Sequence, residues 1–137
     1  MNVNLRVVIL SSFVALLLFL MIFRSCSRPP QKGKTVYEKN CTSCHGVNGE
    51  GFRNLIPPLT DSLFLQEHLD DFVCIVGYGL DKEITVNEVK YTQPMAGLEG
   101  LTPTQIANVA NYVYEKWGGI NKKFTAKEVE IALANCQ

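Results

Sequence analysis

The chain has 137 residues, 47% of them hydrophobic and 19% charged, with 13 basic side chains balancing 13 acidic ones. This composition excludes intrinsic disorder, the length allows one small globular domain with a short appendage, and the balanced charge supplies no overall cationic field for nucleic acid. Arg6, Arg24, Arg28 and Lys32 all precede Gly33, so residues 33–137 carry nine basic against thirteen acidic side chains, a net of −4.

Val7 to Phe23 is a run of 17 uncharged residues in which only Ser11 and Ser12 are polar. At about 1.5 Å rise per residue such a helix just spans a hydrocarbon core. A cleaved signal peptide would carry small residues at the end of the run, whereas Phe23, Arg24, Ser25 and Cys26 stand there, which favours an uncleaved anchor. Lipidation at Cys26 is a third reading, weakened by the large Phe23 and the charged Arg24. The flanking charges do not orient the span, because Arg24, Arg28, Lys32 and Lys34 outweigh Arg6. Residues 1–26 therefore read as a membrane anchor. Residues 27–32 read as a tether, since Pro29 and Pro30 favour an extended chain.

The folded domain is expected to begin near Gly33, with a short helix over Gly33 to Cys44. Gly46 to Thr60 holds Gly46, Gly49, Gly51, Pro57 and Pro58 and reads as a loop. A helix is expected within Ser62 to Val76, closed by Gly77 and Gly79. Ile84, Val86, Val89 and Tyr91 fall out of step across Asn87-Glu88, which indicates a small hairpin. Thr102, Pro103 and Gln105 supply an N-cap, a proline for the first helical position and a capping-box partner, with Leu101 and Ile106 placed as a staple. Ile106, Val109, Ala110, Val113 and Trp117 then share a helical face that ends at Gly118 and Gly119. Thr125 and Glu128 repeat the capping pattern ahead of Val129, Ala132, Leu133 and Cys136, a last helix expected to pack back on the domain. Helices joined by long loops, with almost no strand, imply a mostly α fold that needs something other than a sheet at its centre.

Cys41-Thr-Ser-Cys44-His45 is a Cys-x-x-Cys-His motif, the attachment sequence of c-type haem. Two thiols one helical turn apart reach two vinyl groups of one porphyrin, and the adjacent imidazole lies under the iron. A thioredoxin-like redox pair would need a βαβ setting, and half of a zinc site would need a second Cys-x-x-Cys; neither is present. For a sixth ligand, Met1 and Met21 belong to the N-terminal segment, leaving Met95 in the proline-fixed stretch Gln93-Pro94-Met95-Ala96-Gly97. The competing role for Met95 is a gap-filling core methionine. His68, beside Glu67 and Asp70-Asp71, reads as a solvated surface residue.

With these residues in hand, positions 33–119 resemble a class I, mitochondrial-type monohaem cytochrome c, most like small bacterial members of respiratory chains. The family's glycine and aromatic residue ahead of the haem motif match Gly33 and Tyr37, and their contacts on the last family helix match Val109 and Tyr112. The family's Pro-x-Leu matches Pro57-Pro58-Leu59. The resemblance implies that the Pro57 carbonyl accepts the His45 Nδ1 proton and that Leu59 packs on the haem. It further implies a cytochrome c-like helical domain wrapped around one covalent haem c, with His45 and Met95 on the iron. One departure is Glu88, where relatives have glycine in the turn. Residues 120–137, a C-terminal helical extension, lie outside the resemblance.

Because the family attaches haem on the outer side of the bacterial cytoplasmic membrane, the resemblance implies a single-pass protein of the inner membrane with its haem domain in the periplasm. The function it implies is one-electron transfer with redox protein partners, without catalysis of its own and without nucleic acid. Two further readings stay open: a dedicated haem subunit of an oxidase or dehydrogenase complex, and a catalytic or gas-sensing haem protein with an open distal site. Of the cysteines not used by haem, Cys26 borders the apolar run. Cys74 and Cys136 each lie on an apolar helical face, where they are either two buried thiols or, in an oxidising compartment, a disulfide pinning the extension to the domain.

Overall fold

A computed structural model describes residues 3–24, 31–60 and 63–136, with side chains of the first segment described over 7–19. Contacts divide the chain into two units, Met1–Pro30 and Gln31–Gln137. The first contains helix α1, Val3–Arg24, whose described side chains are all exposed. Among the described residues no helix is long and apolar enough to cross a membrane. Cys26 and most of the proline tether lie outside the described residues. Lys32, read from sequence as the tether's last residue, is instead the first residue of the next helix.

The second unit is mostly helical: α2 (Lys32–Asn40), α3 (Thr42–His45), α4 (Leu63–Glu67), α5 (Phe72–Tyr78), α6 (Pro103–Val113) and α7 (Ala126–Asn135). Between α5 and α6 lie β1 (Gly79–Leu80), paired antiparallel with β4 (Met95–Ala96), and the hairpin of β2 (Ile84–Val86) and β3 (Val89–Tyr91).

The packing of α2 against α6 organises this unit. A methyl group on Gly33 would collide with the Asn108 carbonyl and the Tyr112 Cβ, so the missing side chain is what lets the two backbones meet. One turn on, the Tyr37 ring packs against Tyr112 with centroids 5.5 Å apart. Tyr37, Ile106, Val109, Ala110 and Val113 are buried there, each large side chain contributing on the order of 1.5–3 kcal/mol by leaving water. α7 folds back on α5 and α6 and inserts Val129, which is fully buried. Both capping boxes form, Thr102 with Gln105 and Thr125 with Glu128, each side chain taking a backbone N–H at the helix start.

Four details differ from the sequence reading, each for a local reason. The helix expected over Gly33 to Cys44 breaks at Cys41, where Asn40 Nδ2 and Thr42 Oγ1 take the Val36 and Glu38 carbonyls at 2.8 Å and compete with the helical ladder. The helix expected within Ser62 to Val76 is two helices separated by a turn over 68–71. Gly77 does not close α5 but lies inside it, against the Leu133 side chain, and Gly79 with φ +89 ends the helix. The last turn of the α6 region, Tyr114–Gly118, widens to π geometry. That extra width brings Trp117 beside Tyr112, five residues earlier, and onto Tyr37, rather than continuing the Val113 face.

The hairpin forms across Asn87 and Glu88 with φ of +50 and +66, the left-handed pair that a tight two-residue turn requires. Asparagine tolerates this; glutamate does so at a cost of roughly 1–2 kcal/mol. Glu88→Gly is expected to stabilise the domain by about 0.5–1 kcal/mol, the strain relieved less the added freedom of the unfolded chain. Denaturant unfolding checks this, and a destabilised variant would show that the turn carries no strain.

Candidate functional site

α2 and α3 bring Cys41, Cys44 and His45 to one wall of a cavity of about 750 Å³. This is the volume of a site for a large organic cofactor. Pro57 and Leu59 from the glycine-rich loop and Met95 from β4 line the same cavity, so all six residues singled out from the sequence come together. The rest of the wall is largely apolar, with Leu65, Phe72, Val76, Val86 and Val109 contributing. His68 is elsewhere: its Nδ1 is 3.0 Å from the Asp71 carboxylate and its ring stacks on Phe64 at 4.1 Å.

The backbone around the motif is held tightly. The Tyr37 hydroxyl donates to the Gly46 carbonyl at 2.7 Å, Gly51 N–H to the His45 carbonyl at 2.9 Å, and Leu59 N–H to the Gly49 carbonyl at 2.7 Å. Gly49, at φ +74, also lies so close to the Trp117 ring that a side chain there would meet it at 2.9 Å. These bonds fold the loop so that the Pro57 carbonyl is 3.2 Å from His45 Nδ1. A carbonyl can only accept, so Nδ1 carries the proton and Nε2 keeps its lone pair for a metal. Burial lowers the His45 pKa, partly opposed by that Pro57 bond, and so favours the neutral ligand form. Burial, with the neighbouring Cys44, pushes the Cys41 thiol up to about 11. Neither cysteine is in a disulfide.

Met95 arrives in the cavity on a strand rather than in the irregular loop expected from sequence. Its backbone pairs with Leu80, and Leu98 N–H donates to the Val76 carbonyl at 2.9 Å. Missed from sequence were the apolar walls, above all Phe72, Ile75 and Val76 of α5. Their i, i+3, i+4 spacing was a visible signal of a buried face, but not of what that face would meet.

Among the described residues no three His, Cys, Asp or Glu side chains are grouped to hold a bare metal ion. The donor set of two free thiols one turn apart, one Nδ1-protonated imidazole and one thioether, on an apolar cavity of this size, fits haem attached as haem c. The sequence profile of the family described as Cytochrome c matches residues 30–117. The chain belongs to the cytochrome c family. Cytochrome c-552 of Thermus thermophilus is 31% identical over 107 residues, covering 72% of this chain and 81% of that protein. The Cbb3-type cytochrome c oxidase subunit CcoP of Cereibacter sphaeroides is 33% identical over 92 residues, 64% of this chain but 28% of its own length. The fructose dehydrogenase cytochrome subunit of Gluconobacter japonicus is 28% identical over 102 residues, 72% of this chain and 21% of its own. The profile match stops at 117, so α7 lies beyond it.

Proposed function

We propose that this cytochrome c is a membrane-tethered one-electron carrier of a respiratory chain. One haem would be held by thioether bonds to Cys41 and Cys44, with His45 and Met95 as iron ligands. The observation that carries the reading is the convergence of both thiols, the Nδ1-protonated imidazole and Met95 on one apolar cavity. Bound there, haem iron supplies an Fe(II)/Fe(III) couple. The residues do the rest. The Pro57 carbonyl fixes the His45 tautomer, the apolar walls limit water, and the Met95 thioether raises the potential relative to a second histidine. With His45 and Met95 both holding the iron, no position would be left for a substrate, which is why the proposed role is transfer without catalysis.

The coverage of relatives favours a separate carrier: the match spans 81% of the Thermus cytochrome c-552. The names of the oxidase and dehydrogenase relatives support the second reading, a dedicated haem subunit, but in those proteins the match is 28% and 21% of the length. Stopped-flow mixing of the reduced, purified protein with a terminal oxidase separates the two. Direct electron transfer from the isolated protein supports the carrier. Transfer only within a complex that survives mild detergent overturns it in favour of the subunit.

The anchor rests on the uncharged run Val7 to Phe23, which α1 contains, and the periplasmic placement on where the family attaches haem. Intact mass of the detergent-extracted protein is expected to include that run plus one haem. A mass beginning at an acylated Cys26 would replace the anchor with a lipid.

A further inference from the structure

We propose that the C-terminal helix α7 positions Met95, acting through the last turn of α5. The proposal rests on the reading of Met95 as an iron ligand and adds to it the element that holds the ligand in place.

Three contacts from the α7 segment converge on α5. Cys136 is disulfide-bonded to Cys74. The Leu133 side chain lies 2.6 Å from where a Cβ on Gly77 would sit, so it packs into the space the glycine leaves. The Tyr78 hydroxyl donates to the Leu133 carbonyl at 3.2 Å. The same turn of α5 carries the Met95 segment. Leu98 N–H donates to the Val76 carbonyl at 2.9 Å. Gly97 lies so close to this turn that a Cβ there would meet the Tyr78 carbonyl carbon at 2.5 Å and the Gly77 carbonyl oxygen at 2.7 Å. Gly79 faces the Met95 carbonyl, and Leu80 pairs with Met95 itself. The backbone from Val76 to Leu80 is therefore shared by α7 and by the strand that bears the ligand.

Neither partner on the ligand side is self-supporting. The β1–β4 pairing is two residues long on each strand, well short of what holds together in water by itself. α5 has seven residues, too few for a helix to persist without packing. Their position is borrowed from their surroundings, and α7, which lies beyond the family match, is the element fastened to α5 by a covalent bond. Loosening α7 should raise the population of locally opened states in which Met95 has left the iron.

The test titrates the full-length ferric holoprotein with imidazole, which competes with the thioether for the iron. The readout is loss of the sulfur-to-iron charge-transfer band in the far red. Cys74→Ser/Cys136→Ser and, separately, Leu133→Ala are expected to bind imidazole about tenfold more tightly than wild type, since each raises the open fraction. Gly119→Ala puts a side chain at φ +64, outside α7 and its contacts with α5, and lowers overall stability, yet should leave the imidazole constant unchanged. If the double serine variant does not fold, Leu133→Ala and Tyr78→Phe, which deletes one hydroxyl, carry the comparison. Imidazole constants within about twofold of wild type in the folded variants would overturn the positioning role. An absent band in the wild type, or one that survives Met95→Ala, would instead remove Met95 as ligand and the proposal with it.

Discussion

Met95→Ala is expected to leave the haem covalently attached while lowering its reduction potential by on the order of a hundred millivolts or more. The two thioether bonds to Cys41 and Cys44 and the His45 Nε2 do not depend on residue 95, so the cofactor stays. What is lost is the soft sulfur that favours Fe(II), in a cavity whose walls are otherwise apolar. The chain's other methionines, Met1 and Met21, belong to the N-terminal unit. The vacated position should take water or carbon monoxide. Potentiometry with carbon monoxide binding to the reduced form checks both halves. A potential close to wild type with no carbon monoxide adduct would show that Met95 is only a packing residue.

Removing the Cys74–Cys136 disulfide is expected to have the largest effect on stability of any change outside the haem site. The bond closes a sequence separation of 62 residues, for which chain entropy gives about 4 kcal/mol. That is an upper figure, because a compact denatured chain already lacks part of the freedom that the bond removes. Against a typical stability of roughly 5–15 kcal/mol the loss is severe. Urea unfolding of the Cys74→Ser/Cys136→Ser holoprotein, followed by helical circular dichroism, measures it. A loss under about 1 kcal/mol would mean that Val129 and the Asn111–Phe124 hydrogen bonds hold α7 unaided.

Much of this site was legible because its chemistry is encoded locally. Cys41, Cys44 and His45 are read from the spacing of one motif, whereas Pro57 and Leu59 follow only from the resemblance to the cytochrome c family. Both capping boxes are four-residue patterns whose geometry needs nothing from elsewhere in the chain. Met95 was identified by elimination among three methionines, without any view of the strand that carries it. What escaped the sequence was decided by contacts between distant residues. Gly77 looks like a helix terminator until Leu133 is seen to occupy the space its side chain would need. The wide turn at Tyr114–Gly118 has no signature in hydrophobic spacing, since it depends on Trp117 reaching Tyr37 and Gly49. The Cys74–Cys136 pairing was one of two readings until the helices were brought together.

One haem ligated by His45 and Met95 would make this protein a one-electron carrier. Spectroelectrochemical titration of the full-length holoprotein tests it most directly. A single wave is expected, with a slope of about 59 mV per tenfold change in the ratio of oxidised to reduced protein. The sulfur-to-iron band should disappear on reduction in step with that wave. Two waves, or a ferric spectrum of high-spin iron without the band, would contradict it.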